Sequence, residues 1–409
     1  MRSRAWPGAL RWALFAGCVA LPAWLWPHGA LLGYLAQTAA LVVLALSYNL
    51  QLGTTGLLSF GHAAFAGLGA FAAAHWFNRF GGPLPLLPLV GGAAGAAFGL
   101  LFGVLATRRA GTAFAMITLG LGECVAAAAW SVPAWFGGLG GLPIDRAAGT
   151  PWFGWQFGAP AHAYAVIAVW CVGSALAMRA LTRTPLARLA NAVRDNPARV
   201  AALGTDPRRV RLAMVTCASF FAGVAGTLTL IDLEIATPDS VAMARSATVL
   251  IAAVIGGTGS FFGPAAGAAV LTGLSIVVAG VSRAWALYLG LLFVVVVVAA
   301  PGGLAGIAAT LAHALRPGAP APVRRRTLFA CAASLCWCAA VVCAAELGYA
   351  WRFAQDDGAS AAFLGIAHVD AGSPRGWAAA LALAGLGALL WRGRRDRHAL
   401  ARDTHGDSR

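Results

Sequence analysis

The feature that most limits this chain is a series of apolar runs that approach or exceed the ~18 residues marking a transmembrane helix. Spans are expected at roughly residues 9–26, 30–50, 57–77, 84–106, 112–133, 160–180 and 211–231. A glycine-interrupted region at 246–280 follows, then spans near 284–300, 327–347 and 376–392. The 246–280 region crosses once, or as two pieces split near Gly259 and Gly263. Of the 409 residues, 60% are hydrophobic and 11% charged, against about 25% charged in an average soluble domain. A soluble fold of this size could not hide so much apolar surface. The expected fold class is all-α, a polytopic integral membrane protein with about eight to ten helices in its body plus a C-terminal pair.

A formal charge of +15 raises the question of nucleic acid, but its distribution excludes that partner. All 29 basic residues are arginine, and they gather in short segments between apolar runs, where positive-inside topology puts them. With the N-terminus in the cytoplasm and 246–280 crossing twice, inner segments hold 23 arginines and five acids. Outer segments hold six arginines (79, 146, 245, 283, 352, 375) and eight acids. The asymmetry favours both termini inside. Arg2, Arg4 and Arg11 before Leu14–Leu25 look like a signal peptide, and Ala16-Gly17-Cys18 like a lipoprotein site. Without a small-x-small cleavage site, an uncleaved first span is expected. The eight cysteines show no CxxC pair or metal-type spacing and read as small membrane-buried hydrophobes.

Composition marks two boundaries. Residues 316–326 (RPGAPAPVRRR) form a basic, proline-rich linker between a permease-like body at 1–315 and an added helical hairpin at 327–392. Residues 393–409 form a polar, basic tail expected to be disordered.

The most informative soluble stretch is the loop at 182–211, expected in the cytoplasm. It holds three helix starts of one kind: Thr184-Pro185, Asn196-Pro197 and Asp206-Pro207. In each, a side-chain oxygen can cap free N–H groups while proline occupies the first helical position. The middle piece, Pro197–Leu203, is closed by Gly204, a residue suited to a left-handed cap. This gives a helix of about two turns flanked by Arg194, Arg199, Arg208 and Arg209. Such a short, fixed helix can act as a lever in a partner's groove; an ordinary basic loop that sets topology is the alternative.

Two glycine-rich segments share Ser-Phe, Gly and Ala-Ala elements. Residues 53–69 (GTTGLLSFGHAAFAGLG), with Gly56, Ser59, Gly61 and His62, open the third span. Residues 256–267 (GGTGSFFGPAAG), with Gly256, Gly257, Gly259, Ser260 and Gly263, interrupt the later one. Broken helices are tolerated where they line a cavity, and small residues also serve close packing. The similarity hints at an internal repeat. Glu123 is the acid placed well inside a span, either in a pathway or in a structural hydrogen bond. His62, near a helix opening, fits packing or capping better than ligation. Without lysine there can be no GxxxxGK[ST] loop, and no HExxH or GxSxG is present. If ATP drives this chain, another subunit holds the nucleotide.

Together these segments resemble the LivM-type permease subunits of branched-chain amino-acid ABC importers. The resemblance runs from about Ala45 to Gly306 and rests on motifs in the family's order: 47–69, Ile117–Glu123 (ITLGLGE), Phe136–Pro143 (FGGLGGLP), 183–204, Pro238–Ser240, 254–267 and Pro301–Leu304. It implies a subunit of the bacterial inner membrane that pairs with a second, related permease. Two ATPase subunits carrying ATP and Mg would dock at its cytoplasmic face, and a periplasmic binding protein would deliver substrate. It also implies that Arg194, Asp195, Asn196, Pro197, Arg199, Ala202, Leu203 and Gly204 form the segment that couples to an ATPase. The family's arginine shortly after the acid of ITLGxGE is replaced here by Cys124-Val125-Ala126-Ala127.

Other function classes make distinct demands. A stand-alone secondary transporter would use Glu123 as its proton or ion site. A membrane enzyme or scaffold would need a nucleophile or metal constellation that the sequence lacks. Within the importer class, urea, short amides and aromatic acids compete with amino acids as substrate.

Overall fold

Apolar runs of this length become helices because hydrocarbon offers backbone N–H and C=O groups no other partner. A computed structural model describes residues 8–25, 29–152, 154–280, 285–300, 302–315, 321–357, 361–363, 367–369 and 376–389. The helices are α1 (Gly8–Leu25), α2 (Gly29–Thr55), α3 (His62–Phe80), α4 (Leu87–Ala106), α5 (Thr112–Ser131), α6 (Pro133–Phe136), α7 (Pro160–Leu181) and α8 (Pro185–Asp195). They continue with α9 (Pro197–Ala202), α10 (Pro207–Leu233), α11 (Met243–Gly256), α12 (Gly263–Gly273), α13 (Trp285–Ala299), α14 (Gly303–Ala314), α15 (Ala321–Asp357) and α16 (Gly376–Leu389). Strand pairing among the described residues is minimal. Leu142–Pro143 (β1) pairs antiparallel with Ile235–Ala236 (β2), and Ala361–Phe363 (β3) with Ala367–Val369 (β4).

Six described helices are long and apolar enough to cross a bilayer: α2, α4 with its entry turn, α5, α7, α10 and the 327–348 part of α15. The third span, expected from residue 57, begins instead at His62, because Gly56 turns out of α2 with φ +68° and residues 56–61 are not helical. α3 is less apolar than its neighbours, yet 13 of its 19 residues are buried. Its solvent is protein rather than lipid, so it needs less hydropathy.

Contacts divide the chain into one unit of residues 1–272 with 302–305 and a second of 273–301 with 306–409. The first unit holds α2, α3, α4 and α10 together at backbone distance. Gly91, Gly95, Gly99 and Gly103 recur every fourth residue along α4, which places them on one helical face. A Cβ on Gly95 would overlap the Ser219 carbonyl oxygen of α10, and one on Gly91 would overlap Thr227. Gly69 of α3 meets the Gly223 Cα in the same layer, where an added Cβ would lie 2.6 Å away. Small residues replace the hydrophobic effect here, since lipid tails are as apolar as leucine. This stripe is legible in the sequence as a four-residue glycine spacing.

The 246–280 region is broken into separate helices. α11 and α12 run antiparallel, with Gly256 against the Gly263 carbonyl and Gly267 against that of Ala252. The tip at 257–262 starts at Gly257, φ +97°, which abuts Gly302 and Gly303. Loops sort to two ends as the charge pattern required. Arg194 Nη1 donates to the Gly53 carbonyl and Arg208 Nη2 to that of Val104 at 3.0 Å, at the end that also holds the 257–262 tip. At the other end Asn78 Nδ2 donates to Pro143 O (2.9 Å) and Ile144 N to Glu234 O (2.8 Å).

In the second unit, Gly387 of α16 lies beneath the Trp337 ring of α15, and Tyr288 of α13 donates to Glu346. α15 starts at Ala321, so part of the expected linker is helical; 316–320 and the tail at 393–409 lie outside the described residues. Among the cysteines Cys171 is buried, whereas Cys18, Cys124 and Cys338 lie on exposed helix faces. Both placements suit small membrane-buried hydrophobes, since a thiol needs no partner on a lipid-facing surface.

Replacing Gly95 by Val should prevent α4 from seating on α10, an overpacking cost of about 3 kcal/mol or more. Gly173→Ala, at a position with open space around it, should be neutral. Thermal unfolding of the two purified variants in detergent checks this; equal melting temperatures would contradict the packing assigned to α4.

Candidate functional site

The segments singled out by sequence meet at one end of the first unit. Gly61, at the entrance of α3, sits so close to α5 that a Cβ would overlap the Thr118 carbonyl oxygen. Phe60 N also donates to Thr118 Oγ1 at 3.3 Å. The break after α2 is therefore seated on the ITLGLGE segment. Ala63 N, a free donor in the first turn of α3, is taken by Ser246 Oγ of α11 at 3.0 Å, a cap supplied from another helix.

His62 is fully buried and lies edge-on to the Tyr48 ring at 5.2 Å. Its Nε2 is 2.9 Å from Ser47 Oγ, whose own proton goes to Leu44 O at 2.7 Å. The ring must therefore donate from Nε2, which leaves Nδ1 as an acceptor without a described partner. Ser59 Oγ and Gln51 Oε1 are likewise buried without one. Polar groups in this state cost about 1–3 kcal/mol each. The break is thus a polar enclave inside an apolar bundle.

The second break lies close by. Gly53 is one Cβ (3.4 Å) from the Thr258 carbonyl at the tip of the α11–α12 hairpin. Gly257 is pressed against Gly302 and Gly303, Gly256 against Gly263, and Ser260 Oγ against Gly263. Gly259 is exposed in open space. Phe261 stacks under Arg179 at 5.4 Å, which pins the tip to α7.

The loop at 182–211 is tied to the first break. Arg194 donates to Gly53 O while its Cγ lies 3.0 Å from where a Gly56 Cβ would be. Asp195 ends α8 with a loose, exposed contact of 3.7 Å to Arg194. Asn196 then caps α9, its Oδ1 accepting from Arg199 N at 2.9 Å, with Pro197 in the first turn. Asp206 caps α10 by accepting from Arg208 N at 2.9 Å. Thr184 does not cap: its hydroxyl donates back to Leu181 O at 2.7 Å, which satisfies the end of α7 instead. α9 is a helix of six residues, one turn and a half rather than two, closed by Gly204 at φ +83°. Only Val200 is buried in it; Arg199 and Ala202 are exposed and Leu203 is 80% exposed.

Glu123 stands in the middle of α5, well inside a span. It lies on the exposed face of α5, whereas the buried face of that helix carries Phe114, Thr118, Gly122 and Ala126. A carboxylate on a spanning helix calls for a partner or a polar path, so this face of α5 is one for something other than lipid to cover. Several of these residues lie in the motifs read from the sequence, but their pairings, Ser47 with His62, Thr118 with Phe60, Ser246 with Ala63 and Arg194 with Gly53, carried no signal there.

A family match now has a geometry to attach to. Residues 30–300 match the family described as branched-chain amino acid transport system / permease component. The chain belongs to that family. It is 32% identical over 247 residues to the high-affinity branched-chain amino acid transport system permease protein LivM of Escherichia coli, covering 55% of this chain and 58% of that protein. It is 30% identical over 290 residues to the LivM protein of Salmonella typhimurium, covering 66% and 68%. No solved structure matches the chain. The family region takes in both helix breaks and the α8–α9 loop, whereas α15 and α16 lie beyond it.

Removing the α9 cap with Asn196→Ala should cost about 1 kcal/mol locally. Amide exchange across 197–204 should then speed up several-fold, with α10 unaffected; unchanged exchange would show that the cap does not hold α9.

Proposed function

We propose that this chain is a transmembrane permease subunit of an ATP-binding-cassette importer for branched-chain or other amino acids, moving substrate from periplasm to cytoplasm. Its seat is the bacterial inner membrane, with both termini cytoplasmic. Its partners are a second homologous permease, two ATPase subunits that hold ATP and Mg, and a periplasmic binding protein that delivers substrate.

The observation that carries this reading is α9. A six-residue helix capped at both ends, with one buried anchor and a leucine 80% exposed beyond it, is built to fit a groove on another protein. Through Arg194 it is fastened to Gly53 at the first helix break. Movement of an ATPase against α9 then reaches the membrane interior by a rigid path: α9 to α8, Arg194 to Gly53, and Gly53 to the 257–262 tip. The match to the permease family favours the importer over a stand-alone ion-coupled carrier, and Glu123 lies on an exposed face of α5. That face suits a neighbouring permease or a pathway between the two.

Two variants separate docking from coupling. Leu203→Asp should abolish co-purification of ATPase subunits in mild detergent. Arg194→Ala should retain them but lower uptake per ATP hydrolysed at least fivefold in proteoliposomes. Retained ATPases in the first variant would remove α9 as the docking element. Full coupling in the second would remove the Arg194–Gly53 link from the mechanism.

A further inference from the structure

A cavity of about 100 Å³ lies between α2, α3, α10 and the start of α11. Space for one water is on the order of 10–15 Å³, so the cavity suits a ligand the size of a small aliphatic amino acid. Its lining includes the apolar Leu44, Leu230 and Leu233 and the polar Thr229, Asp239, Ser240 and Arg245.

The polar part of the lining is electrically incomplete. Arg245 donates from Nη2 to Thr229 Oγ1 at 3.2 Å and forms no ion pair with any described residue. It stands in the first turn of α11, where Ala242 offers no side-chain cap and no acid is present. A helix N-terminus is itself positive, so two positive features lie together with no acid in ion-pair contact among the described residues. The contrast with nearby Arg146 is direct, since that guanidinium pairs with Glu234. Ser240 Oγ is buried without a described partner. Asp239 is exposed at the rim and in no described ion pair. A half-buried charge in a membrane protein calls for a partner of opposite sign.

We propose that this cavity is a receiving site for a zwitterionic aliphatic α-amino acid. The ligand carboxylate lies against Arg245 and the N-terminus of α11. Its ammonium lies toward Asp239 and Ser240, and its alkyl chain on the leucines of the lining. The site belongs to the end assigned to the periplasm, where a binding protein would release its cargo. The inference rests on the importer reading and adds to it selection of substrate by the permease itself.

The test uses the intact transporter in nanodiscs without its binding protein, probed by saturation-transfer NMR with leucine, 3-methylbutylamine and 4-methylpentanoate. Leucine should bind, and each analogue lacking one charge should bind at least tenfold more weakly. Arg245→Gln should weaken leucine at least tenfold, and Arg245→Lys should restore part of the loss. Should Arg245→Gln fail to accumulate, the exposed Asp239→Asn carries the same test, weakening leucine and leaving 4-methylpentanoate unaffected. No leucine binding by the wild type, equal binding of the analogues, or unaltered binding in these variants overturns the site. Uptake in proteoliposomes with the binding protein keeps the two readings apart. Leucine uptake alongside a failed binding test sinks the site alone, whereas a wild type that imports no amino acid sinks the importer reading.

Discussion

Every irregular backbone segment in this chain has to be shielded from hydrocarbon, and the rest of the structure is arranged around that need. A helix satisfies its own N–H and C=O groups; a break in a helix does not. The two breaks, at 56–61 and 257–262, are accordingly lodged against other backbone rather than against lipid. Gly61 rests on Thr118, Ala63 N finds Ser246, and Gly257 rests on Gly302 and Gly303. Such backbone proximity is open only to residues without a side chain, which is why glycine marks the contacts with Thr118 and with Gly302 and Gly303. The α4 stripe serves the same end from the other side, letting α10 pass close enough to wall off α3.

A buried break is also a soft point. The enclave around His62 and Ser59 holds polar atoms whose hydrogen bonding is incomplete among the described residues, so its conformation is not over-determined. The loop that reports to it is the reverse. α9 is fixed by a side-chain cap, a proline and a left-handed glycine, and Arg194 joins the two. α9 is thus fixed at both ends and tied through Arg194 to the chain just before the first break.

Much of this was legible from residue order. Apolar runs gave helices, the arginine distribution sorted loops to two ends, and Asn196-Pro197 with Gly204 located α9. The limits are equally physical. Residue order put Glu123 inside a span but not on a given face of α5, because a run of apolar neighbours says nothing about which face of the helix is turned inward. Thr184 looked identical to Asn196 as a cap, yet its hydroxyl took the nearer carbonyl of Leu181. Arg245 counted only as one charge on an outer segment, since its lack of an ion pair among the described residues depends on what surrounds it.

The sequence by itself determined that the chain is helical, membrane-spanning and broken at two glycine-rich points, because those properties follow from local hydropathy and backbone freedom. Only the tertiary structure decided that the breaks lie together, that Arg194 reaches Gly53 across 141 positions, and that Arg245 faces a cavity with Asp239 and Ser240. Such pairings arise from how the glycine faces of α3, α4 and α10 allow the helices to approach. That geometry belongs to the packed bundle and to no single segment.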